Sequence, residues 1–261
     1  MTGSERHLAA RLGDVLLPLG ATALLLAVWS LSVRVSGTRV FPSPTAVALG
    51  IVELARSGLL PRYTADSLFR VAAGFATALA VGVPMGMAMG LSAATAAVIN
   101  PVIQFLRPIS PLAWIPIAVM LFGISNVATI FLIFLASVLA ITVAAMNAAR
   151  GVPEIYLLAG RNFGLTRAEL LTRVIFPAAL PELLAGIRIA LGVAWLVLVA
   201  AEMIAVDSGL GYLIIDARNA GKRYDLVVAG MLLIGVVGFL LDWGVRRIET
   251  FRSVRWGFRK R

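Results

Sequence analysis

The stretch LLAGRNFGLTRAELLTRVIFP, residues 157–177, places Arg161, Asn162, Arg167, Glu169 and Arg173 in the middle of a strongly apolar chain. Its local pattern is that of two helices meeting at a glycine. Just upstream, Pro153 suits a first helical turn, where its missing N–H would be unpaired anyway, and Glu154 favours the positive end of the helix dipole. A helix is therefore expected from 153 to Gly164, which can adopt the left-handed conformation of a C-terminal cap. Thr166 and Glu169 have the spacing of a capping box, so a second helix is expected to begin at once and run to Pro177. The product is a tight elbow with Phe163 and Leu165 flanking its turn. Apolar side chains exposed at such a corner suit a groove on a partner protein.

The surroundings of the elbow define the class of protein. Of the 261 residues, 60% are hydrophobic and 14% charged, with a mean hydropathy of +0.95, far more apolar than soluble domains. A membrane-spanning helix needs about 20 mostly apolar residues. Six such segments are expected, near 15–33, 68–91, 98–122, 127–148, 184–206 and 226–245. The first is read as a retained helix because no small-residue cleavage site follows it. The expected organisation is a cytoplasmic N-terminus at 1–14, an additional N-terminal transmembrane helix at 15–33 and an extracytoplasmic loop with a short interfacial helix at 34–67. A core follows at 68–248, containing a cytoplasmic loop at 150–183, and a basic tail at 249–261.

The net charge of +10 is better explained by membrane topology than by nucleic acid, because the basic residues lie between apolar spans and in the tail VRRIETFRSVRWGFRKR. With the N-terminus inside, the inside segments hold thirteen basic residues and the outside loops seven, which favours both termini in the cytoplasm. This puts the elbow on the cytoplasmic side. The chain has no cysteine and a single histidine, which argues against disulfides, thiol chemistry and a metal site. Without a P-loop or a Gly-x-Ser-x-Gly motif, the chain is not expected to be an enzyme by itself.

Within this frame several residues stand out. Bracketed by Pro42, Pro44 and Pro61, a short helix-like piece carries Val47, Ile51, Leu54 and Ala55 at helical spacing, either along the outer membrane surface or as a connecting helix packed on the bundle. Gly82, Gly86 and Gly90 recur every four residues, the spacing of a face that admits a close neighbour or a sliding contact. Pro101, Pro108, Pro111 and Pro116 oppose a straight helix in the third span. Arg107 falls about midway along that span, where an arginine must face protein or water. It is read either as an anion-attracting group or as the partner of Glu202 in an internal salt bridge. Trp114 and Trp195 join Arg107 as candidate lining of a translocation pathway. Glu202 completes that set, as a structural pair or gate contact rather than a substrate ligand. Arg188 is expected to snorkel to the cytoplasmic surface, and Asp242 to pair with Arg246 one turn on. After Gly209 and Gly211, a mixed-charge loop is expected before the last span.

Gly164 followed by Ile175, Phe176 and Pro177 resembles the Gly-x9-Ile-x-Leu-Pro end of the EAA loop of ABC importer permeases. The segments FPSPTAV, SLFRVAAGF, LRPISPLAWIPI, FGIS, FPAALPELLAGIRIALGVAWLVLVAAEM and GLGYLIIDARN are similar, in order, to the subfamily that imports nitrate, sulfonates and taurine. The resemblance implies an all-α polytopic membrane protein with the transmembrane domain of a type I importer. It also implies a second permease subunit forming a homodimer, two cytosolic ATPase subunits carrying ATP and Mg, and an extracytoplasmic substrate-binding protein. No cofactor is expected on this chain. The elbow would be the ATPase-coupling element, comprising Glu154, Leu158, Ala159, Gly160, Arg161, Asn162, Phe163, Gly164, Leu165 and Thr166. Leu158 stands where the family usually has Glu, and Glu154 lies one turn earlier on the same face. Import of a heteroaromatic vitamin precursor is the alternative within the class. An ATP-independent channel or secondary transporter would need inverted repeats, and none is evident.

Overall fold

Small residues and prolines determine how this chain packs. The computed structural model describes residues 3–37 and 41–249, and among them all regular structure is helical. The expected tail at 249–261 lies outside the described residues except for its first position. The helices are α1 (Gly3–Ser36), α2 (Pro44–Arg56), α3 (Leu59–Leu91), α4 (Ala93–Leu106), α5 (Ile115–Phe122), α6 (Asn126–Arg150), α7 (Glu154–Asn162), α8 (Arg167–Leu170), α9 (Phe176–Glu202), α10 (Leu210–Asn219) and α11 (Tyr224–Glu249).

Among the described residues, four helices are long and apolar enough to cross a membrane: Leu59–Leu91, Asn126–Arg150, Arg167–Glu202 and Tyr224–Arg247. The helices Ala93–Leu106 and Pro111–Phe122 are together long and apolar enough for a fifth span but meet at a bend of 83°. The bend falls where the prolines cluster: Pro108 and Pro111 lie at the break, Pro116 in the first turn of α5, and only Pro101 inside a helix. Missing backbone donors thus coincide with helix ends, where they cost least. Within α1 the apolar stretch Leu19–Val35 is shorter than the other spans. It stands largely exposed, touching the body where the Trp29 indole donates to the Pro42 carbonyl (3.2 Å).

The centre of the fold is the contact of α3 with α6. Gly74, Gly82, Gly86 and Gly90 form a seam along α3, with Ala78 fully buried between them. A β-carbon on Gly74 would lie 2.8 Å from Ile133 Cβ and one on Gly82 2.9 Å from Ile141 Cγ2. One on Gly86 would strike the Thr142 carbonyl and the Ala145 methyl. The backbones are therefore close enough that hydrogen is the only side chain that fits. Helix α9 completes the central layer, with Ala190, Ala194 and Leu198 buried beside Ile133, Val138 and Ile141 of α6.

Two connecting segments are defined by what they pack against. Helix α2, capped by Ser43 accepting from the Ala46 N–H (3.2 Å), buries Val47 and Leu54 against Leu213 of α10 and Ala229 of α11. It is a packed connecting helix of the bundle. Arg223 reinforces it by reaching Glu53 (2.7 Å) and Asp225 (2.8 Å), and these carboxylates hold its guanidinium pKa above the usual value. The segment after Gly209 is a helix, not a loop, because Leu210, Leu213, Ile214 and Ala217 form an apolar face with helical spacing.

The glycine seam makes a direct prediction. Gly86→Val should destabilise the purified protein by about 1–3 kcal/mol, the usual cost of overpacking, and lower its melting temperature in detergent. Gly235→Ala on α11, where nothing lies within 4 Å of an added methyl, should melt like the parent.

Candidate functional site

Three connected features make up the site: an elbow, a cavity above it, and a charged latch at the far end of the bundle.

In the elbow, α7 ends in a Schellman cap. The Leu165 N–H donates to the Gly160 carbonyl (3.1 Å) and the Gly164 N–H to the Arg161 carbonyl (2.9 Å), with Gly164 at φ +75°. Thr166 and Glu169 then form the reciprocal capping box that opens α8. The second helix does not stop at Pro177. It passes through one π-helical stretch, Leu171–Ile175, and runs on into α9. Pro177 in a regular helix would press on the carbonyl four residues back, and the wider turn just before it relieves that contact.

The elbow has two faces. Inward, Gly160 lets α7 approach closely enough that a β-carbon would meet Leu170 Cδ1 at 2.6 Å. Leu157, Val174, Leu170 and Ile175 then join Met87 of α3, Ala145 and Ala149 of α6, and Ala179 and Leu183 of α9 in one cluster. Outward, Glu154, Leu158, Ala159, Arg161, Asn162 and Thr166 are exposed, and Phe163 is 85% exposed. Ile155 and Tyr156 extend the apolar part of this surface. Glu154 and Leu158 share the exposed side, as their spacing requires.

Above the elbow lies a cavity of about 540 Å³, walled by the bend between α4 and α5, by α6 from Leu135 to Asn147, and by α9 from Glu182 to Val193. It is lined chiefly by Leu, Ala, Val and Ile. Arg107, at the C-terminal cap of α4, and Trp114 both contribute to the wall, while Glu182 and Asn147 lie toward the elbow. Arg107 is the only basic residue in the lining.

Trp195 and Glu202, grouped with these residues from sequence, lie elsewhere. Helical geometry explains both: α9 turns Ile189 and Val193 to the cavity, and Trp195 and Glu202 follow at about 200° and 180° around the axis from Val193. Trp195 packs toward α11, its indole N–H donating to the Ile234 carbonyl (3.2 Å). Glu202 does not pair with Arg107. Its partner is Arg70 of α3 (2.6 Å), and the two side chains are 0% and 2% exposed.

This pair forms the latch. Arg70 also donates to Asn126 Oδ1 (2.8 Å), the Ser208 carbonyl (2.7 Å) and Ser208 Oγ (2.6 Å). Glu202 accepts from Ser67 Oγ (2.8 Å) and the Gly211 N–H (2.9 Å). Ser67 in turn accepts from the Leu210 N–H (3.0 Å). The latch joins α3, the start of α6, the end of α9 and the start of α10, at the opposite end of the bundle from the elbow. Arg70 was not singled out from the sequence. The signal was its place at the same expected outer end as Glu202, whereas Arg107 sits at another depth. Near the elbow end, Asp242 binds Arg246 (2.7 Å), as its spacing implies, and also lies 3.7 Å from Arg188.

The family profile described as "Binding-protein-dependent transport system inner membrane component" matches residues 79–253. The taurine transport system permease protein TauC of Escherichia coli (strain K12) is 36% identical over 252 residues, 93% of this chain and 90% of that protein. The nitrate import permease protein NrtB of Synechocystis sp. is 33% identical, covering 90% of this chain and 88% of the relative. The bicarbonate transport system permease protein CmpB of Synechococcus elongatus is 36% identical, covering 89% and 87%. An inward-facing structure of the MetNI methionine ABC transporter shares the fold with a TM-score of 0.65 at 19% identity, over 74% of this chain and 96% of that one.

Removing one member of the latch strands the other. Arg70→Met should destabilise the protein by about 3–5 kcal/mol, as for other broken buried pairs, and the double variant Arg70→Met/Glu202→Met should recover part of that loss. Denaturation in detergent measures both.

Proposed function

The chain belongs to the family of binding-protein-dependent transport system inner membrane components, and from that premise we propose that it is the membrane-spanning permease of an ATP-driven importer for a small anion. The substrates named for its relatives, taurine, nitrate and bicarbonate, bound the chemical class. The observation that carries this reading is Arg107, the one guanidinium among the described residues of a cavity wall that is largely apolar, with Asn147 and Glu182 as its other polar side chains. In largely apolar surroundings a cation attracts an anion more strongly than it would in water, and the Glu182 carboxylate of the same wall lies toward the elbow.

The chain works with a second permease copy, two cytosolic ATPase subunits that hold ATP and Mg, and an extracytoplasmic binding protein that delivers substrate. The permease supplies the pathway and the mechanical link, and the chemistry of hydrolysis resides on the ATPases. The exposed face of α7, with Ile155, Leu158 and Phe163, seats in a cleft of the ATPase subunit. Closure of the ATPases displaces the elbow. Its inner face is packed into the same cluster as the elbow-side ends of α3, α6 and α9, so the displacement passes to the two helices that wall most of the cavity. A capped, glycine-packed elbow transmits this motion where a flexible loop would absorb it. Glu154 takes the polar contact that a glutamate at position 158 would otherwise make.

Reconstitution of the permease with its ATPase and binding protein in proteoliposomes tests this reading. Arg107→Gln should lower anion uptake about ten- to a hundredfold, the worth of a charge-assisted hydrogen bond, without loss of complex assembly. Unchanged uptake would remove Arg107 from the pathway. Phe163→Asp should abolish co-purification of the ATPase while the permease itself melts normally. Glu154→Ala should reduce transport-coupled ATPase activity, and parental activity in that variant would exclude its compensating role. Calorimetry of the binding protein against taurine, alkanesulfonates, nitrate and bicarbonate identifies the cargo.

A further inference from the structure

Beside the cavity, and sharing Ile189 and Val193 with its wall, a second groove of about 410 Å³ runs between α9 and α11. Trp195 forms its floor. The indole lies against Gly238, where an added β-carbon would sit 2.8 Å from Nε1, and its N–H is already bonded to the Ile234 carbonyl. What the ring contributes to the groove is therefore apolar. Gly192 has nothing within 4 Å of the position a β-carbon would take, which opens the furrow, and Leu196 and Leu241 continue its walls. Helix α11 is also the least covered of the four long spans. Only 11% of the apolar window of α11 is buried, against 39–50% in the other three long helices.

The groove changes character at its elbow-side end. Asp242 is shared by Arg188 (3.7 Å) and Arg246 (2.7 Å), and the Arg247 guanidinium lies 4.7 Å from the Trp243 ring centre. Two guanidiniums thus share one carboxylate at the end of a furrow lined by hydrocarbon, and a third stacks on the neighbouring Trp243 ring. An apolar slot leading to a cationic head matches one kind of molecule in a membrane.

We propose that this groove is a binding site for an anionic phospholipid of the elbow-side leaflet, with one acyl chain along Trp195, Gly192 and Gly238 and the phosphate at Arg188 and Arg246. Basic clusters between transmembrane helices near the interface favour anionic headgroups in this way. A second copy of the chain fits less well, because a two-fold contact through this face would set the arginine cluster against itself. A soluble anion would leave the apolar slot unfilled.

Native mass spectrometry of the full-length permease in mild detergent tests the proposal, with dioleoylphosphatidylglycerol, dioleoylphosphatidylcholine and glycerol phosphate as probes. Phosphatidylglycerol should be retained in preference to phosphatidylcholine, and glycerol phosphate should not displace it. Arg188→Gln and Arg246→Gln should each weaken that preference roughly fivefold, the effect of one basic residue near an anionic surface. Gly192→Phe should fill the slot and abolish retention with every arginine in place. Equal retention of the two lipids, parental retention in Arg246→Gln or Gly192→Phe, or displacement by glycerol phosphate would each overturn it. Should Gly192→Phe fail to fold, Arg246→Gln, whose side chain is largely exposed, decides alone. The chain has no cysteine, so Leu196→Cys supplies a single reporter. A disulfide-linked dimer formed through it in oxidised membranes would assign the groove to a second copy and overturn the lipid site.

Discussion

Contact between α3 and α6 at the distance of bare backbones is the constraint on which the rest of this bundle rests. Lipid tails are as apolar as leucine, so burial alone gives two membrane helices little reason to associate, and close van der Waals packing takes its place. Gly74, Gly82, Gly86 and Gly90 provide that packing along the C-terminal half of α3. With these two helices fixed, α9 has a surface to pack on, and its two faces acquire distinct roles. One closes the core while the other looks into the cavity.

The latch and the elbow act at opposite ends of this layer and differ in kind. The outer end is held by directional bonds around two buried charges, an arrangement that tolerates little sliding because any shift exposes unpaired donors and acceptors to an apolar surround. The elbow end is held by methyl and leucyl contacts in a cluster that includes Met87, Ala145, Leu170 and Leu183. Such contacts are non-directional, so small displacements exchange one set of neighbours for another. The bundle is thus held by polar contacts at one end and apolar contacts at the other, and the cavity lies between the latch and the elbow.

Much of this was legible in the sequence, for reasons that differ by element. The elbow was readable because caps are local: Gly164, Thr166 and Glu169 encode their geometry within a few residues. The break in the third span was readable from four prolines, which act on their own backbone. What depends on pairing across the fold was less accessible. Arg107 and Glu202 attract attention as opposite charges in apolar spans, yet depth along the bundle decides partnership, and Glu202 meets Arg70. Trp195 shows the same limit, since a residue two positions from the cavity-facing Val193 faces nearly the opposite way on a helix. Helix α10 was hidden by Gly209 and Gly211, which signal a turn more strongly than the apolar face from Leu210 to Ala217 signals a helix.

The π-helical stretch at Leu171–Ile175 has a meaning beyond making room for Pro177. Each residue of an α-helix advances about 100° around the axis, so the length of this stretch sets the angular relation between everything before it and everything after it. Before it, Leu170 faces Gly160 of the elbow. After it, Ala185, Ile189 and Val193 face the cavity. The stretch is a phase coupling between two functional surfaces on one helix. Adding or removing a single residue within it would leave both surfaces chemically intact while turning one away from its task, a failure that would surface about 18 Å away, a dozen residues along the axis.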